Sequence, residues 1–199
     1  MGPRTKRIVI IDGHPDPDES RYVHALANAY ESGARSGGHD VVLLKIATLA
    51  FPLLRTREDI DAGVVPRSIE SARRALIRCD HIVLLYPLWI GGMPALLKGF
   101  LEQIFRDSIS YAWSHERAAA RHVLEGKSVR IIITMRMAAT MYRDHLGSPT
   151  VKGRRKREIG SFLGVSSIRT RVIGRVESIG AARRAAILSA MSALGRAGA

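Results

Sequence analysis

Three short stretches gather the residues able to do chemistry. The first, GHPDPDES from Gly13 to Ser20, sets His14 and the Ser20 hydroxyl among turn formers at the start of a helical pattern. A hydroxyl beside the open N–H groups of a helix start suits a bound phosphate. The second, PLWIGGM from Pro87 to Met93, places Trp89 beside Gly91 and Gly92. Glycine there lets the backbone approach a flat heteroaromatic ring and turn N–H groups to its polar edge. The third, Thr134 to Tyr142, follows an apolar run and offers a second wall. Each has a plainer reading too. The Trp89 stretch is also an ordinary β-to-α connection, and His14 a turn residue closing a strand.

Other chemistries fail on spacing. Only Gly13 precedes the first helix, so a G-x-G-x-x-G dinucleotide fingerprint is absent. Gly126-Lys127-Ser128 imitates the end of a Walker A motif, but Arg121 stands where the first glycine belongs, and the motif precedes a strand. The histidines at 14, 24, 39, 81, 115, 122 and 145 never fall into a ligand spacing such as H-E-x-x-H. No G-x-S-x-G elbow occurs. A site for a phosphate-and-ring cofactor remains.

The elements that must position these stretches alternate. Ile8–Ile11 is apolar throughout, as a strand buried on both faces requires. Val23, Leu26, Ala27, Tyr30 and Ala34 then form a helical stripe, which Asp18 or Ser20 is placed to cap. Further strands are expected at 41–46, 82–86, 129–134 and 168–173. Helices are expected at 69–79, from Pro94 in its first turn through Ile104, around 159–163, and at about 179–194. Ala47 to Pro66 and Ser108 to Gly126 hold no clear period, and connections of such length are often functional or interfacial.

Five strands alternating with helices predict an α/β fold: a flavodoxin-like three-layer sandwich with a five-stranded parallel sheet in order 2-1-3-4-5. The last strand, with Arg169 and Arg171, belongs at an edge. The loops meeting at the switch point between strands one and three are then those three stretches.

Composition sets the outer bounds. The 199 residues, 46% hydrophobic, suit one domain spanning 1–199 with a sizeable core. No apolar run reaches the roughly 18 residues of a membrane span, no apolar signal core follows MGPRTK, and the single Cys79 fits a reducing compartment, so a cytoplasmic protein is expected. The formal net charge of +13 favours anionic partners. Its densest run, KGRRKR at 152–157, has five basic residues in six positions and reads as a solvated turn or an anion contact.

Nearly end to end, the chain resembles the NAD(P)H:quinone oxidoreductase family of flavoproteins, particularly its bacterial NAD(P)H dehydrogenase branch. GHPDPDES, FPLLRTREDI, YPLWIGGMPALLKGFLEQIF and TMRMAATMYRDHLG carry the likeness in order, the third most specifically. The resemblance implies FMN or FAD, NADPH or NADH as donor, a quinone-like acceptor, ping-pong hydride transfer, and a homodimer with the active site at its interface. By the same likeness His14, Ser20 and Tyr22 fall on the phosphate side, and Pro87, Leu88, Trp89, Ile90 and Gly91 on the isoalloxazine loop. Thr134, Met135, Arg136 and Met137 fall on the third flavin loop, and Tyr142, with His145 more loosely, on catalytic positions. Tyr142 also reads as a packed loop aromatic. Arg136 and Ala138 depart from the glycine and proline common in relatives, and Arg21 from a smaller or apolar residue. A one-electron flavin carrier and, less in keeping with the pattern, a basic nucleic-acid-binding protein are the alternatives.

Overall fold

A computed structural model describes residues 5–62, 64–106, 124–142, 165 and 167–199. Five parallel strands form one sheet: β1 (Arg7–Asp12), β2 (Asp40–Lys45), β3 (His81–Pro87), β4 (Ser128–Thr134) and β5 (Ser167–Ile173), in spatial order β2-β1-β3-β4-β5. This is the flavodoxin-like order that the strand and helix pattern predicts. Helices α1 (Tyr22–Ser36), α2 (Arg57–Asp61), α3 (Arg67–Arg78), α4 (Ala95–Ile104) and α5 (Ala181–Arg196) connect and cover it, with a single helical turn at Ala139–Met141.

Alternation along the strands divides the core into two. Ile8, Ile10, Val83, Leu85 and Ile132 point to one face, where they pack with Leu26, Tyr30, Ile187 and Met191 of α1 and α5. Val9, Ile11, Ile82, Leu84, Tyr86 and Ile133 point to the other, against Ile69 and Leu76 of α3 and Leu97 and Phe100 of α4. β3 is buried at all seven positions, whereas β5 is fully buried only at Ile173 and lies at an edge.

Two helix starts differ from expectation. Arg21, not Asp18 or Ser20, is the N-cap of α1, and it makes no side-chain capping bond. The Asp18 carboxylate is already taken, accepting the Ser20 N–H at 2.9 Å. Pro94 is likewise the N-cap of α4 rather than a first-turn residue, with an extended ψ of 145°. The 47–66 segment holds a 3-10 turn at Ile46–Thr48 and α2, which starts with a Thr56–Asp59 capping box. The helix expected near 159–163 and the KGRRKR run lie outside the described residues, as does most of the 108–126 segment.

α1 and α5 meet through glycine. A β-carbon on Gly33 would lie 1.9 Å from the Ser192 carbonyl oxygen, and one on Gly195 2.1 Å from that of Tyr30. Backbone cannot yield as a side-chain tip can, so Gly33→Ala should destabilise the protein by about 1–3 kcal/mol in urea unfolding. At the opposite end of β3 from its loop, His81 is 3% exposed; its Nδ1 lies 2.7 Å from the Ser128 hydroxyl and its Nε2 has no partner among the described residues. Burial, reinforced by the charges of Lys6, Arg130 and Arg169, pushes its pKa from an ordinary 6.5 to about 4. The unfolded chain therefore binds more protons between those values, and stability falls as pH drops through them, by on the order of 3 kcal/mol. His81→Asn should flatten the part of that slope above pH ~5, where carboxylates contribute little, in unfolding measured across pH.

Candidate cofactor site

The carboxyl ends of β1, β3 and β4 are brought level by one extra hydrogen bond beyond each ladder. Gly13 N–H donates to Leu85 O at 2.8 Å, Leu88 N–H to Thr134 O at 2.7 Å, and Met135 N–H to Ile173 O at 3.0 Å. The chain therefore leaves all three strands at one edge, and the three stretches singled out by composition open there together. Gly13 is needed for the first departure, because a β-carbon would meet Leu85 O at 2.8 Å and Leu97 Cδ2 at 2.6 Å.

The first loop is tied down by its own carboxylates. Asp16 accepts the Asp18 N–H at 3.0 Å and pairs with Arg21 at 2.7 Å, while Glu19 pairs with Lys45 at 2.5 Å. Asp16 and Asp18 are held below the usual carboxylate range, foremost by these backbone donors, and Glu19 by the Lys45 hydrogen bond. His14 is buried within the loop, and its pKa is pushed down by that burial. Ser20 is exposed at the approach to α1. Since Arg21 offers no side-chain cap and the first turn contains no acidic residue, the Tyr22 and Val23 N–H groups have no partner among the described residues. That is an anion-receptive helix start. The Tyr22 ring itself turns away, lying under the Arg184 guanidinium at 4.4 Å with its hydroxyl donating to Arg184 O at 3.4 Å.

The second loop is a two-residue hairpin. Trp89 N–H donates to Gly92 O at 3.0 Å and Gly92 N–H to Trp89 O at 2.9 Å. Both central residues have positive φ, 45° at Ile90 and 75° at Gly91, which is the type I′ pattern. Glycine adopts it freely; a β-branched isoleucine does so at a cost of about 1–3 kcal/mol. The Ile90 side chain gains nothing in return, being fully exposed, while the Ile90 and Gly91 N–H groups are left without partners among the described residues. Trp89 is 49% exposed and meets His14 edge-on, with ring centroids 6.2 Å apart, so the first two loops touch. Pro87 and Thr134 are buried and adjacent in register beneath them, and Leu88 is half-buried against the α3/α4-side core.

The third loop is pinned by the chain leaving β5. Arg175 N–H donates to Met137 O at 2.9 Å and Val176 N–H to Met135 O at 3.2 Å. Gly174 permits this, since a β-carbon would lie 2.4 Å from the Ala139 nitrogen. Met135 is buried, Met137 is half-exposed, and Tyr142 is partly buried against the same core as Leu88. Arg136 does not turn inward. Its side chain is 81% exposed and its Nε donates to Glu177 at 3.0 Å. His145 lies outside the described residues.

Sequence reasoning passed over two residues here. Asp12 and His24 are buried beneath the first loop with Asp12 Oδ2 and His24 Nδ1 2.5 Å apart. The available signal was an aspartate directly ending an apolar strand and a histidine beside the α1 stripe. Among the described residues no group of acidic, histidine and cysteine side chains is arranged to hold a metal. The donor set, an open helix start beside a half-exposed tryptophan and two turned-out N–H groups, fits an anion joined to a flat ring.

A family model described as a flavodoxin-like fold matches residues 6–195. The chain belongs to this family. This flavodoxin-like chain is similar to an uncharacterised NAD(P)H oxidoreductase of Haemophilus influenzae, 24% identical over 183 residues that cover 90% of this chain and 89% of the relative. Among solved structures it is similar to an NAD(P)H:quinone oxidoreductase from Methanothermobacter marburgensis, with TM-score 0.76 and 17% identity over 97% of this chain and 98% of that one. It is similar also to an FMN-dependent NADH-azoreductase from Bacillus anthracis solved in complex with FMN, with TM-score 0.64 and 12% identity over 95% of this chain and 96% of the other. At these identities the structural likenesses concern the fold.

Relief of the hairpin strain is directly measurable. Ile90→Gly should raise unfolding stability by about 1 kcal/mol in chemical denaturation, since no packed contact is lost. A loss of stability instead would mean that Ile90 is held by contacts at this rim.

Proposed function

We propose that this flavodoxin-like chain binds a flavin, FMN or FAD, at the edge where the three loops meet, and uses it to oxidise NAD(P)H and reduce quinones or similar flat electrophiles. The observation that carries the reading is the Trp89–Gly92 hairpin. It keeps an indole half-exposed and two N–H groups turned out, at the cost of a strained isoleucine, within contact of the loop that leads to the open start of α1. Relatives in name and fold include NAD(P)H oxidoreductases, a quinone oxidoreductase and an FMN-dependent azoreductase.

A bound flavin would supply two-electron exchange between nicotinamide and acceptor in a ping-pong cycle. The chain's own part is position and electrostatics. Tyr22 and Val23 N–H groups, with the Ser20 hydroxyl and His14, would hold the phosphate end. Trp89 and the Ile90 and Gly91 N–H groups would hold the ring and its polar edge, and the Met135–Met137 segment would form the opposite wall. Proximity of two stacked rings is the main rate contribution of such a pocket. Tyr142, partly buried at the end of the third wall, would give a hydrogen bond to an acceptor oxygen, with His145 assigned beside it by resemblance. A homodimer with its site at the interface belongs to the same reading. The exposed apolar side chains of Ile90, Met137 and Met141 at the rim, and of Leu53 and Val64 on the 47–66 segment, favour a covering partner.

The test is release and identification of the bound cofactor, followed by turnover. Purified protein should show flavin absorbance or gain it on adding FMN or FAD, and should oxidise NADPH or NADH rapidly only with a quinone present. Absence of flavin absorbance under both conditions would sink the proposal. Trp89→Ala should weaken flavin affinity by about tenfold or more while changing unfolding stability by less than about 1 kcal/mol, because the indole is half-exposed. Equal loss of both would return the hairpin to a purely structural role.

A further inference from the structure

Asp12 and His24 are buried to 0% and 2% exposure. Charged side chains are rarely so enclosed unless every polar atom is paired, and here the pairing is complete. Asp12 Oδ2 lies 2.5 Å from His24 Nδ1, and Asp12 Oδ1 accepts the His14 N–H at 3.3 Å. His24 Nε2 lies 2.9 Å from the carbonyl oxygen of Asp16. A carbonyl oxygen can only accept, and so can an ionised carboxylate. With Asp12 as the carboxylate, a ring facing one of each donates from both nitrogens, which makes His24 an imidazolium.

The neighbouring His14 is in the opposite state. Its Nδ1 lies 3.1 Å from the Asp16 nitrogen and 3.3 Å from the Asp16 oxygen; burial lowers its pKa and keeps the ring neutral, and the shorter contact, accepted from the Asp16 N–H, leaves the proton on Nε2. The two rings meet edge-on with centroids 5.4 Å apart. Asp16 is thus gripped twice: its carbonyl by the charged His24 and its N–H by the neutral His14. Charged groups around His24 are Asp12 from β1 and Asp16 and Glu19 from the loop, the latter two engaged by Arg21 and by Lys45 at the end of β2. β3 brings no Asp, Glu, Lys or Arg. Burial works against the charged His24, but the Asp12 and Asp16 hydrogen bonds, with the charges of Asp12 and Glu19, outweigh it and raise the pKa.

We propose that the Asp12–His24 pair is a latch: doubly protonated His24 ties the Asp16 carbonyl to the end of β1 and so holds the His14–Arg21 loop in the shape that receives a phosphate ester. His24 is then a positioning residue for anion binding, and only the identity of the ester rests on the flavin reading. When His24 loses one proton, the carboxylate retains the remaining N–H, since the charge-assisted bond is the stronger. The bare nitrogen then faces the Asp16 oxygen, acceptor against acceptor, and the loop is released. One proton is linked to one binding event, so affinity for the ester falls above the His24 pKa by up to about tenfold per pH unit.

The test uses the full chain from about pH 6 to 9.5, a range in which a raised histidine titrates. Imidazole nitrogen NMR follows His24, and flavin fluorescence gives affinities for FMN and for riboflavin, which lacks the phosphate. The expected result is two protonated His24 nitrogens at neutral pH, with FMN affinity falling as one proton leaves and riboflavin affinity changing far less. His24→Gln should show a flat FMN profile, about tenfold weaker at neutral pH. Should that variant not fold, the wild-type profiles decide alone. A singly protonated His24 at neutral pH, or FMN affinity indifferent to its titration, overturns the latch. If neither flavin binds at any pH while the Asp16 and Ser20 amide signals track His24, the latch stands and the flavin reading falls.

Discussion

A strand buried along its whole length can satisfy its backbone only through two neighbours, and that constraint on β3 organises the molecule. Every N–H and C=O left unpaired there would carry the penalty of a buried, unsatisfied polar group. β1 and β4 supply the partners, in registers that bring Asp12 beside Leu85 and Thr134 beside Pro87. Because all three strands are parallel, their carboxyl ends fall together, and the extra bonds from Gly13, Leu88 and Met135 carry that alignment one residue into the loops. The three loops meet at one edge because the strands that carry them pair side by side in parallel.

Packing on the two faces then decides how firmly the loops are held. On one face, α1 and α5 touch through Gly33 and Gly195 at distances that leave no room for a β-carbon, so the start of α1 is fixed by its whole length. Its first residue, Tyr22, is clamped under Arg184 of α5. On the other face, the 47–66 segment is fastened to α4 by Gln103, whose amide donates to Pro52 O at 2.6 Å, and by Arg106, whose guanidinium donates to Val64 O at 2.5 Å and to Gln103. Rigid elements thus hold the loops, and positive-φ strain among the described non-glycine residues falls on Arg175, just after β5, and on the exposed Ile90 of the hairpin. Strain persists where surrounding structure over-determines it; here the two Trp89–Gly92 hydrogen bonds and Pro87, locked in β3, do so.

Much of this was legible in the chain itself. Unbroken apolar runs named β1 and β3 as interior strands, the arginines at 169 and 171 named β5 as an edge, and the glycines with Trp89 marked the loop that follows β3. Cap assignments were less secure, because Asp18 and Arg21 had competing partners within the same short loop. Arg136 departed from the glycine common in relatives, and Glu177, forty-one residues away, draws its side chain to the surface. Asp12 and His24 looked like unrelated polar residues, since no local spacing rule links a strand end to the first turn of a following helix.

The sequence alone determined periodicity, strand burial and the turn chemistry of the loops, because these depend on neighbours within a few residues. Only the tertiary structure decided which polar groups meet: Arg136 with Glu177, His24 with Asp12 and the Asp16 carbonyl, His14 with Trp89. Side-chain partners in a folded protein are set by where whole elements pack, and a hydrogen bond requires that placement to within a few tenths of an ångström. Hydrophobic patterning fixes which face turns inward, and leaves that finer choice to the assembled core.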